Sequence, residues 1–175
     1  MRYTKTFSHV TAVALLLIAL FSGSAPAFAQ PASAKQTLTV APFKTGTQYA
    51  GGGLGIGGLS GFGGYGMIGG QWEIGVGERI GAGYIGVGAL GGIYFAGPIT
   101  VVGIGGQGNY HFDMNDPRID LFAGLNLLVG FDSGATRLYG GINAGGRYLI
   151  SQQLAVFGRL GFGYTSLMIG LDINI

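Results

Sequence analysis

Between residues 119 and 131 apolar side chains occupy every second position. Ile119, Leu121, Ala123, Leu125, Leu127, Val129 and Phe131 alternate with Asp120, Phe122, Gly124, Asn126, Leu128 and Gly130. The end of the chain repeats the pattern, with Leu167, Ile169, Leu171, Ile173 and Ile175 on one face and Met168, Gly170, Asp172 and Asn174 on the other. Successive side chains of a strand leave opposite faces, whereas a helix returns to the same face about every 3.6 residues, so this period selects strands.

The segments between and before these two read the same way. Leu138, Ile142, Ala144 and Tyr148 oppose Arg137, Tyr139, Asn143 and Arg147, and Leu154, Val156, Leu160, Phe162 and Tyr164 oppose Ala155, Phe157, Arg159, Gly161 and Gly163. Upstream, Val102, Ile104, Tyr110 and Phe112 oppose Gln107, Asn109 and His111, and Trp72, Ile74 and Val76 oppose Gln71 and Glu73. Turn residues separate the runs at Gly77-Glu78-Arg79, Ala96-Gly97-Pro98, Asn115-Asp116-Pro117, Asp132-Ser133-Gly134 and Ser151-Gln152-Gln153. In residues 80–94 the apolar positions switch from even (Ile80, Ala82, Tyr84) to odd (Ile85, Val87, Ala89), as a bulge or a shifted register would produce. One more hairpin in the glycine-rich opening brings the expected number of strands to about eight, the smallest common membrane barrel.

Charge decides which face points outward. Charged residues make up 9% of the chain, against about 25% in an ordinary soluble domain, and the minority face is mainly Gly and Asn. Such a face cannot coat a water-soluble barrel, but it can line a narrow lumen. In lipid every backbone N–H and C=O must be paired within the protein, so the strands must close on themselves. The expected fold is all-β, an eight-stranded antiparallel up-and-down transmembrane β-barrel. Tyr110, Phe112 and Tyr148 near one set of turns, with Phe131, Phe162 and Tyr164 near the other, match two aromatic girdles.

Residues 51–70, GGGLGIGGLSGFGGYGMIGG, contain twelve glycines and no charge. Gly53, Gly57 and Gly61 have the GxxxG spacing of packed membrane helices, a match that arises by chance in so glycine-rich a stretch. Each glycine costs a helix interior about 1 kcal/mol relative to alanine, so a hairpin turning near Ser60-Gly61 is the better reading. Residues 1–29 read as an export signal: Arg2 and Lys5 precede an apolar run at residues 10–21, and Ala27-Phe28-Ala29 supplies the cleavage site. Residues 30–48, with Pro31 and Pro42, read as a periplasmic lead-in, and residues 49–175 as the barrel. The chain has nine Lys/Arg against seven Asp/Glu. Two of the cations belong to the export signal, so the basic balance gives no sign of a nucleic-acid partner. Cysteine is absent, which excludes disulfides and thiolate chemistry.

The stretches WEIGVGERIGAGYIGVGAL, GNYHFDMNDPRIDLFAGLNLLVGF and GGINAGGRYLISQQLAVFGRLGFGYTSLMIGLDINI resemble the small outer-membrane β-barrel proteins of Gram-negative bacteria, whose better-known architectural relatives are the OmpA-type and opacity-type eight-stranded barrels. The resemblance covers about residues 50–175. It implies outer-membrane lipid as the surroundings and insertion by the barrel assembly machinery, which reads the last strand. Such barrels usually end in an aromatic residue, and this chain ends in Ile175. The family shares no catalytic residues.

With both termini in the periplasm, the outer loops fall near Ser60, 96–98, 132–136 and Thr165-Ser166, all short for a receptor or protease. The lumen then collects Glu73, His111, Asp120, Arg147, Arg159 and Asp172, together with Gln71, Gln107, Asn109, Asn126 and Asn143. An eight-stranded barrel is just wide enough for side chains to fill. Three carboxylates facing two arginines and a histidine are therefore read first as a structural ion-pair plug. The competing readings are an acid/base or metal set at Glu73, Asp120 and His111, and a small solute or narrow path in an underfilled outer half lined by Gly103, Gly105, Gly161, Gly163 and Gly170. A membrane enzyme would need a rim cluster, for which only Asp132, Ser133 and Arg137 are available. No spacing calls for a cofactor, a metal or catalytic residues.

Overall fold

The computed structural model describes residues 41–59, 64–132 and 134–175. The export signal, the lead-in up to residue 40, the Ser60-Gly61 turn and Ser133 lie outside the described residues. Eight strands follow in chain order: β1 (Gln48–Ile56), β2 (Gly66–Ile80), β3 (Gly83–Ala96), β4 (Ile99–Asp113), β5 (Ile119–Phe131), β6 (Thr136–Leu149), β7 (Leu154–Gly161) and β8 (Leu167–Asn174). Each pairs antiparallel with its neighbour, and β1 closes onto β8 from Tyr49↔Asn174 to Ile56↔Leu167. Closure leaves no sheet edge, the condition under which strands can stand in hydrocarbon. Among the described residues no helix is long and apolar enough to cross a bilayer. In the glycine-rich stretch, residues 51–56 belong to β1 and residues 66–70 to β2, so it supplies strands and not a helix.

The alternation sorts as expected. Leu125, Leu138 and Ile169 stand 64%, 67% and 64% exposed on the outside, while Asp120, Asn126, Asn143 and Asp172 are buried inside. On the outer face Gly106, Gly108 and Gly140 leave a shallow apolar groove of about 950 Å3 beside Trp72, Val87 and Leu125. Inward-facing glycines let neighbouring strands approach closely. A Cβ on Gly88 would run into the Trp72 carbonyl, and one on Gly105 into that of Leu127.

Three expectations need correction. The second hairpin does not turn at Gly77-Glu78-Arg79. β2 continues to Ile80, its register shifts between Val76 and Ile80, and the chain turns at Gly81-Ala82. Gly77 (φ 68°) and Gly81 (φ 60°) take left-handed conformations that other residues rarely adopt, the first inside the bulge and the second in the turn. The even positions do not form one face: Ile80 ends β2, Ala82 lies in the turn, and on β3 Tyr84 shares the inner face of its partner His111 while Ile85 shares the face of Tyr110.

Tyr164 is not a girdle residue. Gly163 (φ 87°) turns the chain after β7, and the Tyr164 ring swings into the lumen, where its hydroxyl reaches the carbonyls of Gly70 and Gly91, both at 3.0 Å. Phe112, Tyr148, Phe131 and Phe162 do face outward.

The half of the lumen farther from the termini is not underfilled. Leu59, Met67, Leu90, Tyr94, Val101, Leu128, Phe157, Tyr164 and Met168 pack there as one buried cluster, and Tyr94 donates to the Tyr164 carbonyl at 2.8 Å.

β1 begins at Gln48, and the residues just before it bond to β2. Gly46 N–H donates to Gly75 O at 2.9 Å and Gly75 N–H to Thr47 O at 2.9 Å, which brings Phe43, 2% exposed, into the mouth at the terminal end.

Candidate functional site in the lumen

Five of the six polar residues singled out from sequence meet at one point. Arg147, on β6, is fully enclosed and directs each nitrogen of its guanidinium at a different carboxylate. Nε donates to Asp172 Oδ2 at 2.6 Å, Nη1 to Asp120 Oδ2 at 2.8 Å, and Nη2 to Glu73 Oε2 at 2.6 Å. Those carboxylates stand on β8, β5 and β2, so one side chain ties four strands together across the cylinder. The planar fork of arginine suits this task, which the point charge of lysine cannot reproduce.

The second oxygens are also engaged. His111 Nδ1 lies 2.8 Å from Asp120 Oδ1 and Nε2 lies 3.1 Å from Glu73 Oε1. Asn109 Nδ2 donates to Glu73 Oε1 at 2.6 Å, and Gln71 Nε2 donates to both oxygens of Asp172 at 3.0 and 2.9 Å. Every carboxylate oxygen in the cluster therefore has a donor. An ionised carboxylate only accepts, so a ring held between two of them donates at both nitrogens when doubly protonated. The cluster then carries three negative and two positive charges.

Aromatic rings wall the cluster. Arg147 Cζ sits 4.8 Å from the Tyr49 ring centre and 5.0 Å from that of Phe122. Phe43 stacks on His111 with centroids 3.6 Å apart. Burial in this low-dielectric setting strengthens each contact and makes any unpaired charge costly.

Arg159 does not join. It is 1% exposed, and none of its three nitrogens has a hydrogen-bond partner among the described residues. Its guanidinium lies between Phe122 and Tyr164, 5.3 and 5.7 Å from the ring centres. Outside the lumen, Asp132 caps a turn by accepting from Gly134 N–H at 3.0 Å and Ala135 N–H at 2.8 Å, and these bonds hold its carboxyl below the ordinary value. Among the described residues no group of three or more His, Asp or Glu is arranged to hold a metal ion. Phe43, Tyr49 and the inward apolar residues were missed as lumen components. The available signal was Phe122 and Leu128 standing on a face otherwise made of Gly, Asn and Asp.

No protein-family model matches the sequence, and no curated protein matches it. Among solved structures, one from the de novo design of transmembrane β-barrels superposes with a TM-score of 0.57 at 16% identity, covering 75% of this chain and 98% of that one. The fold is that of a transmembrane barrel. The N-terminal β-barrel domain of Pseudomonas aeruginosa OprF is also similar, at 15% identity and a TM-score of 0.48, again with 75% of this chain and 98% of that one covered.

Proposed function

We propose that the chain is a small outer-membrane barrel that seals its own lumen and serves a structural, non-enzymatic role with at most narrow permeability. The observation that carries this reading is the Arg147 node, in which three carboxylates on three strands converge on one guanidinium and leave no carboxylate oxygen without a donor. Phe43 lies against this node from the terminal end, and the apolar cluster around Tyr94 and Tyr164 fills the other half. Carboxylates so fully engaged are poor general bases, because a base needs a free lone pair in reach of substrate. In this reading residues 1–29 are the cleaved leader, the mature chain begins at Gln30, and the assembly machinery recognises β8.

Two measurements test it. The intact mass of protein recovered from outer membranes should correspond to a chain starting at Gln30; a retained leader would refute cleavage. Purified protein in planar bilayers should be electrically silent, whereas discrete single-channel steps that change in Arg159→Ala would replace the sealed barrel with a narrow pore.

A further inference from the structure

We infer that the lumen holds a small monovalent anion, of chloride size, on Arg159, beside the side-chain amide of Asn143. Arg159 is a permanent cation in a buried place, and nothing in direct contact neutralises it. The three lumen carboxylates, Glu73, Asp120 and Asp172, hydrogen-bond to Arg147, His111, Asn109 and Gln71 and not to Arg159. The faces of Phe122 and Tyr164 offer a cation–π contact and no acceptor for its five N–H bonds. The Tyr164 hydroxyl is already committed to Gly70 and Gly91.

The neighbouring amides share this condition. Arg159 pairs with Gly145 and Asn143 with Gly161, so Arg159 and Asn143 are diagonal neighbours on the inner face, about 7–8 Å apart and within reach of a guanidinium. Gln107 stands on β4 opposite Asn126 of β5. Seven buried polar atoms on Arg159, Asn143 and Gln107 lack partners among the described residues. Native interiors rarely leave so many together. A small anion on the guanidinium accepts from its N–H groups and lies within reach of the diagonal Asn143 amide. The Arg147 cluster carries one net negative charge, which Arg159 offsets, so no more than a monovalent anion is admitted.

The inference goes beyond the sealed-barrel reading and is independent of conductance, so silent bilayers leave it standing. The test uses the purified protein in detergent, with bromide or chloride replacing gluconate at fixed ionic strength. The unfolding midpoint should rise and then saturate with halide, and crystals grown in bromide should show anomalous density beside the Arg159 guanidinium. Arg159→Met should abolish the halide dependence, because it removes the cation on which the anion rests. An identical midpoint in halide and gluconate, with no bromide in the lumen, would show that water alone serves Arg159. Bromide density without any effect on stability would mark an adventitious ion only, and a halide effect undiminished in Arg159→Met would place the anion elsewhere. Any of these three results overturns the inference. If Arg159→Met does not fold, the parent's midpoint and bromide density decide together.

Discussion

Replacing Arg147 with methionine should destabilise the folded barrel by about 3–5 kcal/mol, the cost of removing one partner from a buried ion pair. The substitution keeps much of the side-chain volume, so the loss reports charge rather than a cavity. Glu73, Asp120 and Asp172 would each lose an Arg147 bond of 2.6–2.8 Å and stand together in a low-dielectric space. Chemical unfolding in lipid vesicles, followed by heat-modifiable gel mobility, measures the effect. Adding Glu73→Gln, Asp120→Asn and Asp172→Asn should recover most of the loss, because it removes the uncompensated charges along with their partner. A loss under about 1 kcal/mol would place Arg147 among ordinary surface-strength pairs and remove the argument that the node holds the strands together. Arg147→Lys should fall between parent and Arg147→Met, since a single ammonium cannot address three carboxylates in three directions.

Leu125→Arg should cost about 2–4 kcal/mol in lipid, whereas Ile173→Arg near the strand end should cost about 0–1 kcal/mol, the depth dependence of a lipid-facing charge. Leu125 lies at the centre of β5 and is 64% exposed. On a water-facing surface the same change would be within about 0.5 kcal/mol of neutral. Unfolding in vesicles therefore separates the two environments, and equal costs at the two positions would sink the membrane reading of the outer face.

Much of the architecture is visible along the chain. The alternation in β5 and β8 is regular because one face meets apolar surroundings and the other a narrow polar interior, and their inward and outward residues fall where the period puts them. Three features escaped that reading. The bulge at Gly77 adds residues to one strand without changing the local chemistry, so the period alone cannot say on which side of a turn it lies. Tyr164 continues the outward parity of Leu160 and Phe162, yet the positive φ of Gly163 reverses it. Phe43 belongs to a segment with no periodicity at all, and only the closed mouth of the barrel provides a place for its ring.

Strand periodicity and scarcity of charge are properties of neighbouring residues, repeated at every second position. For that reason the strands, their closure and the outward apolar skin follow from the chain without its coordinates. The partners inside the lumen depend on how far each strand is displaced along the next around the closed sheet, a quantity accumulated over eight pairings. Only the folded cylinder therefore brings Arg147 to three carboxylates from β2, β5 and β8, sets His111 between two of them, and leaves Arg159 between two aromatic rings without one.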